Sequence, residues 1–209
     1  MTRLIRWTLF PLFCVTTSAV LLPAYAMDDA KTYYNRGTAS YGKENYEAAI
    51  KDLSMAITLE PKAPDAYFNR GLSYRRQHKI DEAISDFTKA IQLYSNQSSY
   101  YFERCNALIV KNDLNSAIAD CSEALRLSPD EASGYLMRGV ARMLRGDLEM
   151  ALADSVEALR IDPDYKDARR LLLETLFKRE TANQTAHSTT LDKPIFRNSA
   201  RVVFSAEKT

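Results

Sequence analysis

Four arginines and four aspartates form the most conspicuous charge pattern of this 209-residue sequence. Both sets recur every 34 residues, and each aspartate follows its arginine by the same interval. Such pairs could be acid–base sites or ion pairs. A residue that recurs in every 34-residue unit is explained by the fold of that unit rather than by a single catalytic site. We therefore interpret the set as structural ion pairs, namely Arg36–Asp52, Arg70–Asp86, Arg104–Asp120 and Arg138–Asp154.

The remaining reactive side chains do not form a recognisable catalytic or metal-binding pattern. The two histidines, His78 and His187, are far apart in the sequence, and no nucleophile–His–acid set accompanies either of them. The Cys and His spacing matches no metal motif, and no glycine-rich phosphate loop occurs. The sequence therefore predicts a protein that is not an enzyme and needs neither a cofactor nor a metal.

The elements that carry these charges are repeated helical hairpins. The same 34-residue step is kept by further columns of residues, which are Tyr33, Tyr67, Tyr101 and Tyr135, then Ala49, Ala83, Ala117 and Ala151, and then Ala56, Ala90, Ala124 and Ala158. Within the first unit, Ile50, Leu53 and Ile57 have the spacing of an amphipathic helix. Pro61, Pro129 and Pro163 follow the second helix of their units, where a proline ends a helix.

The repeated pattern Tyr-x2-Arg-Gly, Ala-Ile-x-Asp, x3-Ala-Ile and then Pro resembles the tetratricopeptide repeat. The resemblance covers Ala30 to Tyr165 as units 30–63, 64–97, 98–131 and 132–165. It implies an all-α, right-handed superhelix of four tandem helix–turn–helix repeats. Residues 166–180 continue as a helix with Leu171, Leu172, Leu176 and Phe177 on one side. We interpret this helix as a C-terminal cap, so the predicted repeat domain spans 27–180. From Thr181 the sequence is polar, and we predict a disordered tail over 181–209.

The resemblance also implies that the first helix of each unit, helix A, lines a concave groove that binds another protein. The groove residues expected to contact a ligand are Tyr34, Asn35, Phe68, Asn69, Arg75, Arg76, Phe102, Asn106 and Met137. Amides can bond a peptide backbone, aromatic rings supply contact area, and the two arginines suit a carboxylate.

One binding mode of the family is not expected here. Its carboxylate clamp for chaperone tails uses Lys, Asn, Asn, Lys and Arg at positions 5, 9, 6, 2 and 6 of three successive repeats. The first frame of this chain offers one match and the second offers none, since the residues are Tyr34, Thr38, Asn69, Ser99 and Glu103, and then Phe68, Leu72, Glu103, Ser133 and Met137.

The first 26 residues have the pattern of a secretory signal. Arg3 and Arg6 precede an apolar stretch, and Ala24-Tyr25-Ala26 is a small-x-small cleavage site, so we predict cleavage after Ala26. An uncleaved membrane anchor is the alternative, because the stretch is about long enough to span a bilayer. Cleavage predicts a periplasmic or secreted bacterial protein that has no membrane contact once mature.

The two cysteines that remain after cleavage, Cys105 and Cys121, lie on facing helices of the third unit. In an oxidising compartment they could form a disulfide. The alternative is two buried free thiols, because tight helix packing leaves the spacing of their Cβ atoms open.

Charge and composition narrow the choice of partner. The chain has 28 basic and 27 acidic side chains and a formal charge of +1, and loss of the leader removes two of the basic residues. A near-neutral chain lacks the basic surface that nucleic-acid binding needs. We therefore predict a protein-binding scaffold or adaptor. The alternatives are a structural component of an envelope complex that associates with itself, and a regulatory subunit of an enzyme.

Overall fold

A computed structural model describes residues 28–191. All the secondary structure in this range is α-helical, and the helices are α1 (Ala30–Gly42), α2 (Tyr46–Leu59), α3 (Pro64–Arg76), α4 (Ile80–Leu93), α5 (Ser98–Val110), α6 (Leu114–Leu127), α7 (Ala132–Arg145), α8 (Leu148–Ile161) and α9 (Lys166–Leu191). The helices α1 to α8 form four antiparallel hairpins, each made of a helix A and a helix B. The predicted signal segment lies outside the described residues.

The helix boundaries follow from local capping. Asp29 accepts a hydrogen bond from the backbone N–H of Thr32 at 2.7 Å and so caps α1. Pro64 begins α3, where a proline costs no hydrogen bond. The turn between the two helices of each hairpin uses a left-handed residue at the same repeat position, with φ of 60° to 97°, and these residues are Glu44, His78, Asn112 and Gly146.

The hairpin core depends on small residues where helix A crosses helix B. Ala49, Ala83, Ala117 and Ala151 are fully buried in the four B helices. A Cβ atom added to Gly71 in α3 would lie 2.7 Å from the ring of buried Phe87 in α4. The glycine therefore permits the close approach of the two helices.

The stack of hairpins has an inner and an outer layer. Each B helix packs against the A helix of the next hairpin, and successive A helices also touch one another, whereas the described B helices do not. The array therefore curves with the A helices α1, α3, α5 and α7 on its inner side.

The C-terminal helix differs from the sequence prediction in two ways. It continues to Leu191, although the disordered tail was predicted to begin at Thr181. No proline or glycine interrupts the segment after Glu180, and extending an existing helix costs little. Residues 192–209 of the predicted tail lie outside the described residues.

The second difference concerns the buried side of the cap. Leu171 is buried, but Phe177, which was expected on the same side as Leu171, is 68% exposed.

Within residues 28–191, no helix is long and apolar enough to cross a bilayer.

Candidate functional site

The inner face of the array is connected by polar contacts between successive A helices. The amide of Asn69 on α3 donates to the hydroxyl of Tyr34 on α1 at 2.9 Å. Burial raises the pKa of Tyr34, and nearby Asp65 raises it further. Tyr34 therefore remains protonated near neutral pH. It lines a cleft of about 270 Å³ between the first two hairpins.

An aromatic cluster lies beside this contact. Phe68 has its ring centroid 4.8 Å from that of Tyr100 and 5.8 Å from that of Phe87. Tyr100 is buried, and its hydroxyl donates to Asp65. Phe68 is thus held from two sides, so only part of its ring is available to a ligand.

The two groove arginines are in different environments. Arg75 lies 2.9 Å from Glu103 on α5, an ion pair that the sequence pattern did not predict. Arg76 is exposed and donates from Nε to the hydroxyl of Tyr41 at 3.3 Å. The sequence expectation that both arginines suit a ligand carboxylate therefore holds geometrically only for Arg76, because Arg75 already has a carboxylate partner.

Three buried polar atoms around this ion pair have no hydrogen-bond partner among residues 28–191. They are Arg75 Nε, Glu103 Oε2 and Asn106 Oδ1. Arg75 Nη2 approaches Glu103 Oε2 closely but without hydrogen-bond alignment. A buried polar atom without a partner costs about 1–3 kcal/mol. These side chains of α3 and α5 therefore have hydrogen-bonding capacity that no described residue uses.

The other predicted groove residues are spread along the inner face. Asn35 is exposed on α1. Phe102 lines a cleft of about 170 Å³ between the third and fourth hairpins, together with Ser99 and Ser133. Met137 is partly buried against the core around Cys105.

The structure forms all four predicted Arg–Asp pairs as contacts between helix A and helix B of one hairpin. Arg70 and Arg104 each bind their aspartate through both Nε and Nη2 at 2.6–2.8 Å. The hydrogen bond from Arg36 lowers the pKa of the Asp52 carboxyl. In the fourth hairpin Arg142 also donates to Asp154, at 2.7 Å. Each arginine of the column lies over a half-buried tyrosine, with 4.8–6.0 Å from the guanidinium carbon to the ring centroid, and these rings are Tyr33, Tyr67, Tyr101 and Tyr135.

The same arginines also link neighbouring hairpins. The third guanidinium nitrogen of Arg104 donates at 3.0 Å to the hydroxyl of Thr88 in the preceding B helix. Arg70 and Arg138 make the equivalent bonds to Ser54 and Ser122. Arg36 lies in the first hairpin of the described residues, and it binds Asp28 instead. The 34-residue step from Ser54 to Thr88 to Ser122 was the sequence signal for these bonds, and sequence reasoning missed it.

Family comparisons agree with this architecture. Three models that describe the tetratricopeptide repeat or TPR repeat match residues 64–97, 39–78 and 102–166, which together cover more than half of the chain. The chain belongs to the tetratricopeptide repeat family. A search of curated proteins found no significant match.

Solved tetratricopeptide structures share the fold. The first TPR of Spaghetti (RPAP3), bound to the HSP90 peptide SRMEEVD, is 26% identical with a TM-score of 0.55, over 56% of this chain and 93% of that chain. The Arabidopsis OM64 TPR domain is 25% identical with a TM-score of 0.53, over 54% and 93%. MamA from Desulfovibrio magneticus RS-1 is 19% identical with a TM-score of 0.71, over 78% and 92%.

One repeat of this tetratricopeptide chain departs from the others at the helix crossing. Cys105 stands where the other repeats have glycine, and it forms a disulfide with Cys121 on α6, with the two Cα atoms 5.5 Å apart. Both cysteines are fully buried. The bond joins the two helices of the third hairpin at the point where, in the other three hairpins, a glycine permits close packing.

The described side chains contain no group of three His, Cys, Asp or Glu residues that could hold a metal ion. His78 occupies an exposed left-handed turn position between α3 and α4.

Proposed function

We propose that this tetratricopeptide chain is a non-catalytic adaptor that binds a segment of a partner protein along the inner face of its A helices. The observation that carries the proposal is the row of A-helix side chains on the concave inner side, where Asn35 and Arg76 are exposed and Asn106 is only partly buried. Amide and guanidinium groups in such positions can bond the backbone and the carboxylates of a peptide.

The shape of the inner face favours a peptide over a small molecule. The clefts beside Tyr34 and Phe102 have volumes of about 270 and 170 Å³. Small-molecule sites are usually larger, at about 300–1,000 Å³. Shallow clefts on an extended concave surface suit the successive side chains of one bound segment. The similar TPR of RPAP3 was solved with a peptide bound, which is consistent with this mode.

The chemistry of the face indicates what the segment contains. Exposed Arg76 provides a positive charge near the first two repeats, and Asn35 adds an amide there. Phe102 and Met137 make the second half apolar. A segment with an acidic residue at one end and an apolar stretch at the other would satisfy both halves.

The proposal includes export to the periplasm or beyond. Its support is the Ala24-Tyr25-Ala26 site in the sequence and the disulfide between Cys105 and Cys121, a bond typical of oxidising compartments. N-terminal sequencing of the protein recovered outside the cytoplasm should return Met27. A chain that begins at Met1 and remains in the membrane fraction would contradict this part of the proposal.

The partner can be found by crosslinking in the native cell envelope followed by mass spectrometry, and the groove is then tested with Asn106→Ala. The Asn106 side chain makes no hydrogen bond within the described residues, and its Oδ1 is buried without a partner, so its loss should not lower the free energy of unfolding. Loss of a hydrogen bond to the ligand should weaken binding roughly tenfold. Arg76→Glu should weaken binding of an acidic segment further.

Arg126→Glu is the matched control. Arg126 is an exposed arginine on α6, a B helix, and its ion pair is with Glu123 in the same helix. This change should leave affinity as it is. If the two groove variants bind the partner as tightly as the unmodified protein while retaining its helicity, recognition lies on the B-helix side or at the ends of the array.

A further inference from the structure

The last helix continues the repeat register without completing the repeat. Helix α9 begins at Lys166, 34 residues after the start of α7, so it takes the place of a fifth helix A. The eighth residue of each helix A is buried against helix B in the four hairpins, as Gly71 is against Phe87. In α9 that residue is Leu173, and it is 62% exposed because no helix B follows within the described chain.

Helix α9 also differs from the A helices that pair with a B helix. Each of the four hairpins turns at its fifteenth residue, which has a positive φ. The fifteenth residue of α9 is Glu180, and the helix runs through it to Leu191. A leucine in place of glycine also prevents the close approach seen at Gly71. The uncovered side therefore suits a partner helix at the ordinary separation of about 8–10 Å.

The uncovered side forms one exposed stripe with alternating steps of four and three residues. From the start of the helix its members are Lys166, Arg170, Leu173, Phe177, Glu180 and Gln184, all of them exposed. We call this set the α9 stripe. It spans about 27 Å at 1.5 Å per residue. Its first part is basic, its middle is apolar, and its last part is acidic and polar.

This order makes the stripe complementary to itself. When a second α9 lies antiparallel with Leu173 opposite Phe177, Arg170 lies opposite Glu180, and Lys166 lies opposite Gln184. The twofold axis then passes near Thr175, which faces the interior and is fully buried. Every contact occurs twice, as in a symmetric dimer.

We infer that the α9 stripe is a dimer interface, in which two copies of this chain pair through antiparallel α9 helices. This interaction uses none of the groove residues on α1, α3, α5 and α7, although Arg170 and Phe177 stand at the repeat positions of Phe102 and Arg75. A single pair of helices gives an interface at the small end of the stable range, about 1,200 Å². The dimer should therefore be reversible in the micromolar concentration range.

Two other candidate occupants, residues 192–209 of the same chain and an anionic lipid surface, fit the α9 stripe less well than a second copy of the chain. Residues 192–209 of the same chain carry four basic and two acidic side chains, so they would be repelled by Lys166 and Arg170 at the basic end. An anionic lipid surface would attract that end but would be repelled by Glu180. The apolar part of the stripe, Leu173 and Phe177, is also narrow for membrane insertion.

Charge reversal tests the pairing directly. Sedimentation equilibrium of the purified protein should show a monomer–dimer equilibrium. Arg170→Glu and Glu180→Arg should each weaken dimerisation roughly tenfold, because each places two like-charge pairs in the interface. The double variant Arg170→Glu with Glu180→Arg should restore the dimer, since both pairs re-form with exchanged signs. Failure of the double variant to recover would overturn the proposed register.

Phe177→Glu should give a monomer with unchanged helicity, because the side chain is 68% exposed and contributes little to the fold. The control is Val110→Glu on α5, which is 67% exposed but lies outside the stripe and should leave the dimer intact. A dimer that survives Phe177→Glu would overturn the inference.

Two further outcomes would assign the stripe to a different occupant. If the intact chain is monomeric and a variant lacking residues 192–209 dimerises, those residues cover the stripe. If a monomeric chain sediments with phosphatidylglycerol vesicles and Phe177→Glu abolishes this, the stripe binds lipid. Because purified protein alone is used, neither result depends on the groove partner.

Discussion

Replacing Arg104 with leucine should cost considerably more folding free energy than the same replacement of Arg36. The Arg104 side chain is 20% exposed and that of its partner Asp120 is 9% exposed, whereas Arg36 is 49% exposed. Arg104 also donates to Thr88 in the preceding hairpin, so its loss leaves a buried carboxylate and a hydroxyl without their donor.

The magnitude follows from the burial of each pair. Removing one partner of a fully buried ion pair costs about 3–5 kcal/mol. The partial exposure of Arg104 reduces this to about 2–3 kcal/mol, whereas solvent screens the exposed guanidinium of Arg36, so its loss should cost much less. Thr88→Val removes the bond between hairpins together with the bond from the hydroxyl to the Ile84 carbonyl in the same helix, and it should cost about 1 kcal/mol.

Urea unfolding followed by circular dichroism measures all three changes. The double variant Arg104→Leu with Asp120→Leu removes both charges, and it should recover much of the stability lost in Arg104→Leu. Equal losses for Arg104→Leu and Arg36→Leu would refute the argument that burial determines the worth of these pairs. A double variant no more stable than Arg104→Leu would show that packing, rather than the unpaired carboxylate, causes the loss.

Three further predictions concern the packing, the disulfide and the ligand. Gly71→Ala should destabilise the protein by about 1–2 kcal/mol, because overpacking against Phe87 outweighs the gain in helix propensity, whereas Gly42→Ala, with no atom within 4 Å of the added Cβ, should not destabilise it. Reduction of the bond between Cys105 and Cys121 should cost roughly 3 kcal/mol, and titration of unfolded, unreduced protein should find no free thiol; two thiols per chain would contradict the disulfide. Calorimetry with the HSP90 peptide SRMEEVD, using the RPAP3 domain as the positive control, should show no low-micromolar binding, because the clamp positions lack the lysines and arginine that hold an acidic tail; such binding would contradict the assignment of the groove.

The periodic part of the structure could be predicted because each repeated column has one physical role. The step of 34 residues places Arg70 and Asp86 on facing helices, and the structure joins them at 2.7 Å. The small residues at the helix crossing follow the same logic. A contact that recurs in every repeat is visible in the sequence as a column, even before the helices are positioned.

The contacts that leave no periodic signal in the sequence are those that occur only once. Arg75 and Glu103 belong to different repeats and to no column, so nothing in the pattern pairs them. The exposure of Phe177 was missed for a related reason. Its helical spacing indicates an apolar side, but the pattern does not show whether the chain supplies a helix to cover that side.

The proposed groove binding and the proposed pairing through α9 would together make this chain a bivalent adaptor. The α9 stripe contains none of the groove residues on α1, α3, α5 and α7, so pairing through α9 leaves those residues of both copies accessible. Two weak peptide sites in one particle then bind a partner that has two segments more tightly than either site alone, because the second contact forms at the effective concentration set by the first. On this argument Phe177→Glu should leave the affinity for an isolated segment unchanged and weaken binding to a two-segment partner. Equal affinity of the variant and the unmodified protein for the two-segment partner would separate dimerisation from adaptor function.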